Sequence, residues 1–106
     1  MSQAVTHGDT VYLAGQVAID AANESVKNQT TNILSRIDDL LEQSGSNKSN
    51  LLTATIWLTS MDDFDEMNSV WDSWVPSGDA PARACVESKL AFPQFTVEIS
   101  VTATRA

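Results

Sequence analysis

The chain has 106 residues, a formal net charge of −8, and 42% hydrophobic against 19% charged residues. These values fit one small globular domain over residues 1–106 with a core of its own, and they exclude a disordered chain and a membrane span, which needs roughly 18 consecutive apolar residues. The six Lys and Arg residues are scattered, whereas a nucleic-acid surface needs a cluster of them, so we expect no nucleic acid and no membrane as partner.

The first predicted element is a β-hairpin. An extended start at residues 3–5 precedes the turn-forming residues at positions 7–9, and β-forming residues follow from Thr10 to Ala18. Gly15 interrupts this second strand, which predicts a bulge or a close approach by a ligand or by another part of the backbone.

Residues 23–43 have the clearest helical pattern. Apolar or β-branched side chains recur at a spacing of three and four residues and give the helix one apolar face. These residues are Val26, Thr30, Ile33, Leu34, Ile37, Leu40 and Leu41. Asn23 or Ser25 can cap the start of this helix, and Gly45 occupies the position of a left-handed C-terminal cap.

The second half of the chain predicts a strand, a helix and two more strands. Residues 51–59 alternate, which places Leu52, Ala54, Ile56 and Leu58 on one face and predicts a right-handed βαβ unit with parallel strands. Residues 60–75 are helical, with acidic residues in the first turn, and strands follow near 82–88 and 95–104.

The element order β-β-α-β-α-β-β predicts an α+β sandwich, in which two helices cover one face of a single mixed sheet. The other face of the sheet is left without cover and partly apolar, which indicates self-association.

A lone arginine within an apolar strand is the least ordinary feature of the sequence. Arg83 lies between alanines, and a buried guanidinium is costly without a partner. It therefore forms a salt bridge with Glu87 or Glu98, or it serves as a bidentate clamp for a small anionic ligand. Glu98 also lies in an apolar strand, so opposite charges on what we expect to be neighbouring strands form a candidate site.

The single cysteine is predicted to share a strand face with Arg83. Cys85 has no histidine nearby in sequence to activate it, so a small buried hydrophobic residue is the favoured interpretation over a nucleophile. One cysteine cannot form an intramolecular disulfide, and the N-terminal residues lack the pattern of a secretory signal. We therefore expect a cytoplasmic protein.

Several segments resemble the reactive intermediate deaminase family (Rid, YjgF type). Residues 81–87, Pro-Ala-Arg-Ala-Cys-Val-Glu, followed by Pro93 and then by residues 97–99, Val-Glu-Ile, resemble the C-terminal signature of that family. The resemblance covers nearly the whole chain. Residues 54–58, Ala-Thr-Ile-Trp-Leu, and 71–75, Trp-Asp-Ser-Trp-Val, are closer to its YoaB-like branch.

This resemblance implies a chorismate-mutase-like fold and a homotrimer whose sheets form a central barrel, with ligand sites in the clefts between subunits. The implied reaction is the hydrolysis of 2-imino or enamine acids to 2-keto acids and ammonia, without a metal or an organic cofactor. Arg83 matches the arginine that holds the substrate carboxylate, and Glu98 the acid that orients or activates water. Cys85 matches a residue lining the cleft, and Gly15 lies beside it.

Two features depart from the family pattern. A hydroxyl residue commonly precedes the Gly-Gln pair, where this chain has Ala14, and an aromatic residue is common near the position of Met1.

An alternative function is that of a non-catalytic homotrimer that binds small carboxylate metabolites at the same clefts. A ribonuclease or translation inhibitor, as described for some relatives, is disfavoured by the acidic charge.

Overall fold

The computed structural model describes residues 1–105. Its helices and strands follow the predicted order β-β-α-β-α-β-β, which is thereby confirmed. The elements are β1 (Ala4–His7), β2 (Thr10–Leu13), α1 (Val26–Gln43), β3 (Leu51–Leu58), α2 (Phe64–Trp74), β4 (Ala82–Glu87) and β5 (Val97–Thr104).

The five strands form one mixed sheet in the order β1-β2-β5-β3-β4. All neighbouring pairs are antiparallel except β3 and β4, which are parallel and are joined through α2. The expectation that the strands of Arg83 and Glu98 are neighbours is wrong, because β3 lies between β4 and β5. The last strand returns into the gap between β2 and β3 and pairs with both, so these two strands are parallel without touching.

The second strand ends at Leu13 and not at Ala18 as predicted. Beyond it, Gln16 forms an isolated antiparallel bridge with Ile99. Between the Tyr12–Thr102 pair and this bridge, residues 13–15 face only residues 100 and 101, so one extra residue is inserted on the β2 side. The bulge predicted at Gly15 is therefore confirmed, and it is the reason that regular pairing stops there.

The long helix begins at Val26, the first residue of its apolar series, and not at residue 23. Ser25 is the N-cap, and its hydroxyl accepts a hydrogen bond from the backbone N–H of Asn28 at 3.1 Å. At the other end Gly45 has φ of +78°. The N–H groups of Gly45 and Ser46 donate to carbonyls in the last turn of α1 at 3.1 and 2.8 Å. This is the left-handed cap predicted for Gly45.

The third strand differs from strict alternation at its start. The register shifts between Leu51 and Thr53, so that Leu51 is buried and Leu52 is 47% exposed. The expectation that Leu52 shares the core face of Ala54 and Ile56 is wrong, because the irregularity reverses the side-chain direction there.

The remaining boundaries differ from prediction by a few residues. A 3-10 turn over Met61–Asp63 precedes α2, which starts at Phe64, so the predicted start at residue 60 is too early. The Ser60 hydroxyl accepts from the N–H of Asp62 at 3.2 Å and caps this turn. Phe95 is buried, although regular pairing of the last strand begins at Val97.

Both helices pack on the same face of the sheet. The buried residues between the sheet and the helices come from the three central strands β2, β5 and β3 and from both helices. They include Val11, Leu13, Ile33, Leu34, Ile37, Leu41, Ala54, Ile56, Leu58, Met67, Trp71, Val97, Ile99, Val101 and Ala103. No helix within residues 1–105 is long and apolar enough to pass through a lipid bilayer.

A buried glutamine ties the first helix to the last strand. The Gln29 amide nitrogen donates to the carbonyls of Glu24 and Gln94 at 3.0 and 3.3 Å, and its oxygen accepts from the N–H of Thr96 at 2.9 Å. These bonds satisfy a side chain with no exposed surface. They fix the start of α1 against the segment that leads into the strand of Glu98.

The opposite face of the sheet carries no helix. Side chains alternate away from the core along all five strands and are half-buried or exposed. On this open face lie Val5, His7, Thr10, Tyr12, Thr53, Thr55, Trp57, Ala82, Ala84, Val86, Glu98, Ser100, Thr102 and Thr104. Glu98 and His7 are the only acidic or basic residues among these positions. A broad face of small, hydroxyl and apolar groups suits close contact with another protein surface.

Candidate functional site

Arg83 faces the helices and not the open face. It pairs with the buried Ala54 on β3, and residues paired across neighbouring strands point to the same side of a sheet. Its guanidinium carbon lies 5.3 Å from the ring centre of Trp71 and 5.9 Å from that of Phe64. The side chain is therefore held between the edge strand and the aromatic face of α2.

The guanidinium has no ionic partner among residues 1–105. Its Nη1 atom is buried and makes no hydrogen bond. The Glu87 carboxylate instead accepts from the backbone N–H of Met61 at 3.0 Å, and Glu98 lies on the other side of the sheet. The salt-bridge interpretation is thus not realised in the chain. An unpaired buried cationic donor is costly, and the anion clamp remains a prediction made from the sequence.

Asn68, which its sequence pattern did not single out, lies on the same helix as the two rings. It lies one helical turn after Phe64 and one before Trp71, on the α2 face that carries both rings. Its side-chain oxygen is buried without a partner, while its nitrogen donates to Asp72 at 3.3 Å. The Asn68 oxygen, an acceptor without a partner, therefore lies on the same helix face as the two rings that contact the Arg83 guanidinium. The helical spacing was the only available signal for it.

Cys85 pairs with Ile56 and so points to the same side of the sheet as Arg83, as predicted. Burial raises the pKa of its thiol, and the positive charge of Arg83 lowers it by a smaller amount. The group is thus a neutral thiol at pH 7. This state suits a side chain that lines a site and does not suit an activated nucleophile.

The second candidate group lies on the open face. Glu98 pairs with Trp57 across the sheet, and its carboxylate packs directly over Gly15. A Cβ atom at position 15 would overlap a carboxylate oxygen, so the group that approaches this glycine closely is the Glu98 side chain and not another part of the backbone, as one of the predictions had it.

Hydrogen bonds hold the backbone beneath this carboxylate. Gln16 exchanges backbone hydrogen bonds with Ile99 at 2.8 and 3.1 Å, and the N–H of Ala14 donates to the carbonyl of Gln3 at 2.9 Å. The buried Gln16 side chain donates to the Gln3 side-chain oxygen at 2.8 Å and to the carbonyl of Ala14 at 2.9 Å. The backbone of residues 14–16 is thus held in place against the Glu98 side chain.

We expect Gly15→Ala to reduce function without unfolding the protein. The added methyl group must displace the Glu98 carboxylate, a flexible side chain on a half-open surface, so the loss of stability should stay near 1 kcal/mol. Displacing a reacting group by about 1 Å can cost about 100-fold in rate. Thermal unfolding and steady-state kinetics check the two parts. Gly8→Ala is the control for kinetics: its φ of +58° should cost it about 1 kcal/mol of stability, but no atom lies within 4 Å of a Cβ atom there, so its kinetics should not change. A variant with wild-type kinetics would contradict the role of the Gly15 contact.

The two candidate groups do not meet within one chain. Arg83, Cys85 and Asn68 lie on the helix side of the sheet, and Glu98 and Gly15 lie on the open side. The combined site expected from the sequence is therefore wrong for a single copy. A ligand that touches both groups requires a second copy of the chain.

Four hollows on the surface are lined by none of these residues. One of about 330 Å³ lies between the two helices, lined in part by Asp38, Lys48 and Trp74. No group of three or more His, Cys, Asp or Glu side chains in the described part of the chain is arranged to hold a metal ion.

Comparison with known proteins gives consistent similarities. The pattern of the family described as Endoribonuclease L-PSP matches residues 1–105. A RutC family protein from Haemophilus influenzae is 44% identical over 98% of this chain and 90% of that protein. The RutC family protein YoaB from Escherichia coli is 42% identical over 96% of this chain and 88% of that protein. The crystal structure of a YjgF family member from Neisseria meningitidis superimposes with a TM-score of 0.96 at 42% identity, covering 100% of this chain and 87% of that one.

Proposed function

Since the chain belongs to the endoribonuclease L-PSP family, which includes the YjgF and RutC proteins, we propose that it hydrolyses small 2-imino acids to 2-keto acids and ammonia. The observation that carries this proposal is the Arg83 guanidinium, which is placed between two aromatic rings and has a buried Nη1 atom without a partner. Neither a metal nor an organic cofactor is part of the proposal.

Arg83 would bind the carboxylate of the substrate. A guanidinium presents a planar fork of N–H donors that fits the two oxygens of a carboxylate, and no acidic residue of the described chain occupies it. Asn68 would accept a hydrogen bond from the imino or ammonium nitrogen of the ligand through its unsatisfied oxygen. Together they would select a small molecule with an anionic end and an N–H donor.

Glu98 would act on water. It accepts a proton from water as the water oxygen forms a bond to the carbon of the protonated imine, and the resulting tetrahedral adduct carries a hydroxyl and an amino group. Return of that proton to nitrogen makes it a leaving group, and the C–N bond breaks as the hydroxyl proton passes to Glu98, which releases ammonia and leaves the keto acid. An imine carbon is already electrophilic, so one anchor and one base are sufficient for this reaction.

The site would lie between copies of the chain. Because Arg83 and Glu98 face opposite sides of the sheet, we propose that the helix-side group of one copy meets the open-face group of the next. Three copies arranged in this way form a ring with three equivalent clefts. The open face, with one charged residue among fourteen positions, would be covered in that homotrimer.

Two other functions are compatible with some of these features. A non-catalytic trimer that binds small carboxylates would use Arg83 and Asn68 in the same way and would not need Glu98. RNA cleavage is mentioned in the family description, but it needs a basic surface to bind RNA. This chain has a net charge of −8 and six scattered cations, so it does not provide one.

The test is an imine-hydrolysis assay. A pyridoxal-phosphate enzyme that releases 2-aminoacrylate is coupled to detection of pyruvate, and addition of this protein should increase the rate of pyruvate formation in proportion to its concentration. Light scattering should give about three times the 11.5 kDa of one chain. A rate no greater than spontaneous hydrolysis, together with measurable binding of pyruvate, would identify the non-catalytic binder. A mass of one chain would contradict the shared site.

A further inference from the structure

We infer that Phe64 and Trp71 are positioning residues that hold the Arg83 guanidinium for its ligand through their ring faces. This inference rests on the proposed function, because it assigns how the anion clamp of that same site is prepared. The two rings would act through Arg83 and would not touch the reacting atoms.

The geometry fits cation–π contact of the Arg83 guanidinium with both rings. The guanidinium carbon lies within about 6 Å of both ring centres, which is the range over which the ring quadrupole attracts a cation. Phe64 and Trp71 are separated by two helical turns and therefore share one side of α2. Both rings are thus presented to β4 by a single rigid element.

The surroundings of Trp71 keep its ring in place. Trp71 is 4% exposed, and Met67, one turn earlier on the same helix, is fully buried. The Trp74 ring packs against Trp71 with centres 5.4 Å apart, and the Trp74 indole donates to Asp38 on α1 at 3.0 Å. A ring fixed in this way restricts the conformations of the arginine that lies over it.

Aromatic contact has an advantage over an ion pair at this position. A carboxylate partner would occupy the N–H donors of Arg83 and would compete with the carboxylate of the ligand. Ring faces attract the charge without occupying those donors, and the buried Nη1 atom makes no hydrogen bond within the described residues. In a chain with 14 acidic residues and six basic ones, this is a way to keep one cation available for an external anion.

The experiment compares variants in their binding of pyruvate and of its neutral amide, measured by calorimetry, and in imine hydrolysis. Phe64→Leu and Trp71→Leu remove one ring each, and Trp71→Phe retains a smaller ring if the leucine variant fails to fold. Phe92→Leu is the matched control, because the Phe92 ring is 59% exposed in the loop before β5 and is not one of the two rings that contact Arg83.

We expect each ring removal to weaken pyruvate binding and to raise KM by about 5- to 20-fold, with kcat changed by less than about twofold. Affinity for the neutral amide should not change, since it does not pair with the charge. Trp71→Phe should fall between Trp71→Leu and the wild type, and the control Phe92→Leu should stay within about twofold of the wild type for both ligands. A merely structural role for the rings would weaken both ligands equally, and that result would overturn the inference.

The same measurements on Arg83→Ala separate this inference from the proposed function. If Arg83→Ala abolishes pyruvate binding while both ring variants bind it as tightly as the wild type, the positioning role is wrong and the clamp stands. If Arg83→Ala binds pyruvate as tightly as the wild type, the proposed clamp itself is wrong. The wild-type protein could fail to hydrolyse imines while the ring variants bind pyruvate more weakly than it does. That result would support the positioning of Arg83 by the two rings in a non-catalytic binder.

Discussion

Arg83→Ala is expected to lower kcat/KM for a 2-imino acid by about two to three orders of magnitude, since truncation of one partner of a desolvated charge pair costs about 2–5 kcal/mol. The variant should nevertheless fold as well as the wild type. In the free protein the guanidinium Nη1 is buried without a hydrogen bond, so removing it relieves an unsatisfied donor, and this gain offsets the loss of its contacts with the Phe64 and Trp71 rings. We therefore expect a thermal unfolding midpoint equal to or slightly above that of the wild type.

The matched variant for this position is Arg83→Lys. It retains the positive charge and loses the planar fork, so it should recover only part of the affinity for a keto acid. Calorimetry with pyruvate, coupled-assay kinetics and thermal unfolding together check the prediction. Unchanged pyruvate affinity in Arg83→Ala would contradict the clamp, and a large drop in its unfolding midpoint would show that Arg83 stabilises the fold instead.

The fold could be predicted where the local pattern and the burial agree. The spacing of Ile33, Leu34 and Ile37 defines the buried face of α1, and the alternation along residues 97–103 defines the core face of the last strand. The prediction failed where the backbone departs from a regular repeat. Leu52 is exposed because of a register shift, which depends on pairing with a strand some 50 positions away.

The site was only partly predictable for the same reason. Arg83 and Glu98 are conspicuous in sequence because a charge among apolar strand residues is costly. Their placement on opposite faces depends on which strands are neighbours and in what register, and both are set by long-range contacts. Asn68 could not be recognised, because one polar residue on an amphipathic helix has the same pattern whether it faces solvent or a ligand.

Glu98→Gln is expected to lower kcat by about 100- to 10,000-fold, the range contributed by general acid–base groups. Glutamine has the same shape and still fits over Gly15, so the fold and the affinity for pyruvate should remain close to those of the wild type. Steady-state kinetics and calorimetry separate the two effects. A variant that keeps its kcat would show that Glu98 does not activate water.

Mixing this variant with Arg83→Ala tests whether the two residues act from different copies. In a ring of three that contains both variants, one junction always joins an intact Arg83 to an intact Glu98. Random assembly from equal amounts makes about three quarters of the rings mixed, and each has one working cleft of three, so the mixture should recover about a quarter of the wild-type activity. If both residues served one cleft from the same copy, every cleft would lack one of them and the mixture would stay inactive. That inactivity would contradict the shared cleft that we propose from the opposite orientations of Arg83 and Glu98 in the sheet.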